Sequence, residues 1–108
     1  MEKKKLKITE QSCSLKEVLE IIGGKWAMPI IYILSKGKLR FKEIEKSIEG
    51  INTRMLVKEL KNMQANGIIT REVFATVPPT VEYTLTKKGH KLIPSITSLH
   101  NWGKEFAV

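Results

Sequence analysis

The sequence predicts an α+β fold that is mostly helical, and three features of the chain support this prediction. Residues 41–67 form two amphipathic helical segments joined by a tight turn. Residues 68–85 contain two β-rich runs around a Pro-Pro pair, and residues 87–107 form a last helical segment with a broad apolar face. Because a hairpin directly after a helix-turn-helix is the element order of a winged helix-turn-helix, we predict that architecture, with the wing at about residues 75–81.

Length and composition indicate one small globular domain. The chain has 108 residues, of which 42% are hydrophobic, and it carries a net charge of +8. We expect a flexible basic arm over residues 1–10 and a single domain over residues 11–108. We also expect a cytoplasmic protein, because no apolar run is long enough for a membrane span and the Lys-rich start lacks the apolar core of a signal peptide.

Residues 41–67 have the pattern of a helix-turn-helix. Phe41, Ile44 and Ile48 recur at helical spacing, and Gly50 can adopt the left-handed conformation that ends a helix. Asn52 is placed to cap the next helix, which we predict over about residues 52–66. Its predicted apolar stripe is Met55, Leu56, Leu60 and Met63. A helix of this length spans about 22 Å, which suits a DNA major groove.

Charge is concentrated around this motif. Eight Lys and Arg residues but only four Glu residues lie between positions 36 and 61, which amounts to half of the net charge. A solvated basic surface would account for this, but a nucleic acid partner accounts for it better. The single cysteine excludes an internal disulfide, and His90 and His100 have no cysteine pair nearby, so we expect no metal, cofactor or enzyme chemistry.

The segments before and after these motifs are predicted to be helices that pack on the same core. Ser14 and Glu17 match a capping box at the start of a first helix, which Gly23 and Gly24 would end. Thr86 is placed to cap a last helix that continues to about residue 107, with a kink at Pro94. Its apolar face is too wide for the domain's own core, so we predict a homodimer through the first and last helices. The predicted interface residues are Leu15, Leu19, Ile96, Leu99, Trp102 and Phe106.

From residue 13 to residue 103 the chain resembles the HxlR-type winged-helix transcriptional regulators, which are relatives of the MarR group. The similarity includes Cys13, the Gly23-Gly24-Lys25-Trp26 run, and Leu39 to Phe41. Its most specific part covers residues 77–89, with Pro78, Pro79, Thr86 and Gly89 in order. The resemblance implies a homodimeric DNA-binding regulator with the second helix of the motif in the major groove and the wing tip at the adjacent minor groove or backbone.

By position in this family, a set of residues would face DNA. They are Asn52, Thr53, Arg54, Val57, Lys58 and Lys61 on the recognition helix, Arg40 and Lys42 before it, and Arg71 in the hairpin. Many family members carry Arg where this chain has Thr80, so we expect weaker minor-groove contact at the wing. In physical terms Arg54 suits a bidentate contact to guanine and Val57 a thymine methyl, whereas Lys58 and Lys61 suit phosphates.

Two further properties are the signal to which the protein responds and its effect on transcription. Several members of the family sense oxidants through the cysteine that corresponds to Cys13. Here Cys13 is expected just before a helix N-terminus, where the dipole favours a thiolate. Alternatives are a small-molecule effector near Trp26, Trp102 or Phe106, association with RNA or the ribosome, and a protein–protein adaptor. Repression is the expected output, since a small regulator can act by occluding polymerase.

Overall fold

The computed structural model describes the backbone of residues 10–107 and the side chains of residues 14–107. The predicted basic arm therefore lies outside the described residues, except for Glu10, which begins the first helix. The elements are α1 (Glu10–Ile22), α2 (Ala27–Leu34), β1 (Leu39–Arg40), α3 (Phe41–Ser47), α4 (Thr53–Ala65), β2 (Ile69–Phe74), β3 (Thr80–Leu85), α5 (Lys87–His90), α6 (Ile93–Trp102) and a π-helical turn (Gly103–Ala107). This order confirms the predicted winged helix-turn-helix.

Helix α1 begins earlier than the capping signature predicts. It starts at Glu10, so Ser14 lies inside the helix and the predicted capping box at Ser14 and Glu17 is wrong. Cys13 is the fourth residue of the helix and does not precede it. The predicted end is confirmed, because α1 stops at Ile22 and Gly24 has a φ of +84°.

Helix α2 is the central apolar element of the fold. Pro29 lies in its first turn, where a missing backbone N–H leaves no hydrogen bond unmade. Ala27, Ile30, Ile31 and Leu34 are buried, so the helix contributes most of its length to the core. Around α2 the core continues through residues of every neighbouring element, namely Ile22, Ile44, Ile48, Ile51, Leu56, Leu60, Met63, Ile68, Ile69, Tyr83, Leu85 and Ile96.

Capping hydrogen bonds define both helices of the helix-turn-helix. The backbone N–H of Arg40 donates to the Glu43 carboxylate at 2.8 Å, which holds the first turn of α3. Gly50 has a φ of +88°, so the chain can turn sharply before α4. Asn52 Oδ1 accepts from the Met55 N–H at 2.8 Å, as its predicted role as N-cap requires. In α4, Leu56, Leu60 and Met63 are buried, whereas Met55 is exposed and does not belong to the core.

The sheet has three antiparallel strands in the order β1-β3-β2. Arg71 pairs with Tyr83, Glu72 pairs with Glu82, and Arg40 pairs with Glu82 from the other side. Directly paired residues of antiparallel strands point to the same face. Arg71, Tyr83 and Leu39 therefore share one face of the sheet, and Glu72, Glu82 and Arg40 share the other.

The C-terminal part is not the single kinked helix that the sequence predicts. Thr86 Oγ1 accepts from the Gly89 N–H at 3.0 Å, so Thr86 is the predicted cap, but the helix that it caps ends at His90. A new helix, α6, begins at Ile93, and Pro94 lies at its second position. Pro94 therefore starts a helix, because at this position its ring meets no preceding turn. None of the helices in the described part of the chain has the length and hydropathy of a membrane span.

Candidate nucleic-acid interface

Helix α4 presents one exposed face beside its buried one. Thr53, Arg54, Lys58 and Lys61 are exposed, and Val57 is about one-third exposed. Arg54, Val57, Lys58 and Lys61 recur at three- and four-residue spacing, so they form one face of the helix. Because the helix is 13 residues long, about 20 Å, this face is long enough to lie along a groove of duplex DNA.

The start of α4 is tied to the preceding elements. The Asn52 side chain uses its oxygen in the cap to Met55, which leaves its amide NH2 as the donor for a ligand. The Thr53 hydroxyl donates to the Glu45 carboxylate of α3. Of the residues predicted to face DNA, these two therefore also hold the helix-turn-helix together.

A groove of about 450 Å³ separates α4 from the hairpin. Lys61 and Arg71 both line this groove, so two predicted phosphate contacts from different elements come together. Gln64 lies beside them, one turn after Lys61, and the sequence analysis did not select it, although its spacing from Lys61 could have indicated the same face. The remaining lining residues form a largely apolar floor, namely Phe41, Val57, Leu60, Val81 and Tyr83.

The other predicted contacts lie around the edge of this surface. Lys42 is exposed in the first turn of α3. Arg40 is exposed but lies on the sheet face that points away from the groove, directly opposite Glu82. Thr80 begins β3 beside the wing tip, with its hydroxyl 3.4 Å from that of Thr76. The Thr76 hydroxyl donates to the Pro78 carbonyl at 2.7 Å, so a local hydrogen bond braces the tip.

Large apolar side chains are also exposed on α1 and on the C-terminal helices. Leu15 is 67% exposed, and the rings of Trp102 and Phe106, 58% and 63% exposed, have centroids 5.5 Å apart. Leu19 and Leu99 are exposed as well. Ile96 corrects the predicted interface, because it is only 4% exposed and belongs to the protomer's own core.

A cavity of about 490 Å³ lies between α2, α6 and the end of α3. Tyr32 and His100, whose rings stack with centroids 5.5 Å apart, line it together with Ser47 and Glu49. Trp26, Trp102 and Phe106 do not line it, so this cavity differs from the effector position that the sequence suggested. Among the described side chains no group of three or more His, Cys, Asp or Glu residues could hold a metal ion.

A helix-turn-helix with a hairpin wing and an exposed basic face on its second helix defines the class of winged helix-turn-helix transcriptional regulators. The HxlR-like helix-turn-helix family model matches residues 21–108, most of the chain. The chain therefore belongs to the HxlR-like helix-turn-helix family, as the resemblance predicted. Its relatives include HTH-type transcriptional regulators, and the solved structures similar to it include redox and transcriptional regulators.

The similarity extends over nearly the whole chain. An uncharacterized HTH-type transcriptional regulator of Methanothermobacter thermautotrophicus is 44% identical over 97 residues, which cover 90% of this chain and 74% of that protein. The redox regulator HypR in its oxidized form has a TM-score of 0.82 at 40% identity, over 86% of this chain and 96% of HypR. The reduced form of the regulator YodB from Bacillus subtilis has a TM-score of 0.76 at 34% identity, over 86% and 92% of the two chains.

Proposed function

We propose that this regulator represses transcription as a homodimer that binds a two-fold related DNA site. In this proposal α4 lies in the major groove and the wing tip meets the adjacent minor groove or backbone. The observation that carries it is the exposed face of α4, which continues across the groove to Arg71. Occupancy of a promoter is enough for repression. A cytoplasmic location is part of the proposal, because the relatives are transcriptional regulators and must reach DNA.

The exposed residues of α4 divide by chemistry into base and phosphate contacts. Arg54, in the first turn, has the planar donor pair that matches the two acceptors of guanine, worth about 1–3 kcal/mol of discrimination. Val57 offers its methyl groups to a thymine methyl. Lys58, Lys61 and Arg71 offer charge to phosphates, which raises affinity but carries little sequence information.

The homodimer is supported by the exposed apolar surface of Leu15, Leu19, Leu99, Trp102 and Phe106. Several large apolar side chains that are more than half exposed, two of them neighbouring aromatic rings, are typical of an interaction surface. A two-fold symmetric dimer would present two copies of α4 to successive major grooves, about 34–36 Å apart. The operator would then be a pair of related half-sites about one helical turn apart.

Fluorescence anisotropy tests this function directly. The duplex from upstream of the protein's own gene and of the neighbouring genes is titrated over a salt series against a scrambled duplex and a matching RNA. We expect at least one native duplex to bind about 10³-fold tighter than the scramble at the same salt. Equal and steeply salt-dependent binding to all probes would mean that the protein binds nucleic acid only non-specifically, through its basic surface. A preference for RNA would favour an RNA-associated role.

Two variants separate the proposed roles of the α4 side chains. Arg54→Ala should reduce the ratio of specific to scrambled binding, because it removes a base contact. Lys61→Ala should weaken binding to both duplexes alike and reduce the salt dependence by about one counterion. If the two variants weaken both duplexes equally, the division of roles is wrong. If neither changes any affinity, α4 is not the DNA-contacting element and a protein–protein adaptor becomes the better function.

A second candidate function, control by oxidants, is favoured by the neighbouring structures. HypR, a redox regulator, matches in both its oxidized and its reduced form, and YodB matches in its reduced and its diamide-treated form. We propose Cys13, the only cysteine of this chain, as the group that would react. Its product would be a mixed disulfide with a small thiol or a disulfide with a second subunit. Loss of specific DNA binding on treatment with diamide, absent in Cys13→Ser, is the expected result.

A further inference from the structure

Residues 86–89, which follow the hairpin, form hydrogen bonds to the C-terminal end of α4, the recognition helix. The Thr86 hydroxyl donates to the Gly67 carbonyl at 2.6 Å, and Lys88 Nζ donates to the Asn66 carbonyl at 2.8 Å. In addition, the Thr86 backbone N–H donates to the Ile68 carbonyl at 2.9 Å. Three consecutive carbonyls at the exit of α4 thus each receive a hydrogen bond from this one segment.

These carbonyls need partners because of how α4 ends. The Ile68 N–H donates to the Met63 carbonyl and the Gly67 N–H to the Gln64 carbonyl, with Gly67 at a φ of +73°. This is a Schellman ending, which satisfies carbonyls inside the helix but not those of Asn66 and Gly67. Lys88 and Thr86 provide the missing donors, and the Lys88 ammonium also lies at the negative end of the helix dipole.

Gly89 allows the segment to approach this closely. A Cβ atom at position 89 would lie 2.4 Å from the Ile68 carbonyl oxygen and 2.9 Å from Leu85 Cδ2. The Gly89 N–H donates to the Thr86 hydroxyl at 3.0 Å, so the same hydroxyl that binds Gly67 also caps α5. The Thr-x-x-Gly pattern therefore has a physical role that the sequence analysis did not assign.

Lys88 also lies near α1 and near the start of α6. Its side chain lines a small cavity of about 140 Å³ with Val18 and Ile22 of α1 and with Leu92, which precedes α6. The side chain that binds the α4 exit therefore faces both α1 and the residue before α6 across this cavity.

From these contacts we infer that Thr86 and Lys88 are positioning residues for DNA recognition, which fix the recognition helix relative to α1 and α6. The inference rests on the proposed function, because it takes α4 to be the DNA-reading helix. Without the Lys88 contact, α4 would keep its exposed side chains but would sample more orientations. Base contacts, which need accurate geometry, would then weaken more than phosphate contacts, which tolerate movement.

The central test is Lys88→Met compared with Lys87→Met. Methionine keeps an unbranched apolar stem but removes the donor and the charge. Lys87 carries the same charge one residue earlier and is exposed, and its side chain makes no hydrogen bond to another described residue, so its variant measures the effect of charge alone. We expect Lys88→Met to lower the ratio of specific to scrambled binding by about three- to tenfold, as for loss of one charge-assisted hydrogen bond. Lys87→Met should leave that ratio unchanged.

Two further variants distinguish positioning from general stability. Lys88→Arg keeps a charged donor and should recover most of the lost ratio. Ile31→Val, a buried change in α2 away from the segment, should lower the urea midpoint and leave the ratio unchanged. All binding is measured well below the unfolding transition of each variant. If Ile31→Val lowered the ratio of specific to scrambled binding together with its urea midpoint, Lys88 would act only through stability.

The outcomes separate this inference from the proposed function. If the wild type shows no preference for any native duplex, the proposed function fails first. If the wild type is specific and Arg54→Ala reduces that specificity, but Lys88→Met behaves like Lys87→Met, the positioning role is overturned and α4 still reads DNA. Faster amide exchange of Asn66, Gly67 and Ile68 in Lys88→Met, with unchanged exchange in α2, is the expected structural signature.

Discussion

The N-cap of the recognition helix offers a prediction in which stability and DNA binding change in opposite directions. Asn52 accepts a hydrogen bond from the Met55 N–H at 2.8 Å and is also one of the predicted DNA contacts. Three replacements separate the two roles. Alanine removes the cap, serine keeps a capping oxygen but loses the amide, and aspartate keeps the cap and adds a negative charge.

The magnitudes follow from the cap geometry and the chain length. Loss of the cap in Asn52→Ala should cost about 1 kcal/mol. With an unfolding entropy of about 2.1 cal/mol/K per residue, the 108-residue chain should lose about 4 °C in Tm. Asn52→Asp should be as stable as the wild type or more stable by about 0.3–1 kcal/mol, because a carboxylate interacts favourably with the helix N-terminus.

DNA binding should rank these variants differently. In Asn52→Asp a carboxylate would lie beside phosphates, so we expect about tenfold weaker binding at low salt and a smaller loss at high salt, where the repulsion is screened. Asn52→Ser should have the same Tm as the wild type and should lose only the contact of the Asn52 amide NH2 with DNA. The assays are thermal unfolding at one protomer concentration and anisotropy over a salt series. If Asn52→Asp bound DNA as tightly as the wild type at low salt, the α4 N-terminus would not face DNA.

Three further predictions concern the packing, the apolar surface and the cysteine. Gly89→Ala should lower stability by about 1–3 kcal/mol, because its Cβ would lie 2.4 Å from the Ile68 carbonyl, whereas Gly103→Ala, with open space around it, should be neutral in the same urea titration. Trp102→Glu should shift the protein from dimer to monomer in sedimentation and reduce operator affinity at least tenfold. Val73→Glu, at an exposed apolar site in the hairpin, should stay dimeric; it is the control for sedimentation alone, because Val73 shares the sheet face of Arg71, which is proposed to face DNA. Diamide should abolish operator binding by the wild type but not by Cys13→Ser; an equal response of both proteins would exclude Cys13 as the sensor.

The helix-turn-helix and the hairpin were predictable because their signals are local. Gly50 supplies the left-handed turn, Asn52 the cap, and the alternation of residues 81–85 the strand, and each needs only its neighbours to act. The buried face of α4 was predictable in the same way, from the helical spacing of its apolar residues. Only Met55 was misplaced within it, because the sequence does not show how wide the buried stripe is.

The C-terminal segment was less predictable because its structure depends on distant contacts. Residues 87–107 have helical periodicity throughout, but α5 ends after four residues, with Thr86 and Lys88 bound to the exit of α4. No local signal at residues 91–92 reports those contacts, which join residues about twenty positions apart. For the same reason Ile96 was assigned to the dimer surface, since the stripe does not say which side of α6 the core occupies.

The charge distribution of the hairpin restricts how DNA can approach the wing. Glu72 and Glu82 lie opposite each other on the sheet face away from α4, and Lys38 pairs with Glu82 at 3.4 Å. Lys38 and Arg40 only balance these two carboxylates, so this face has no excess of positive charge for phosphates. Arg71 lies on the other face of the sheet and lines the groove together with Lys61. No acidic side chain is among the residues that line this groove. The duplex backbone is therefore better accommodated from the groove side, and Arg71 is a stronger candidate for a phosphate contact than Arg40, which lies opposite Glu82 on the face with the two carboxylates.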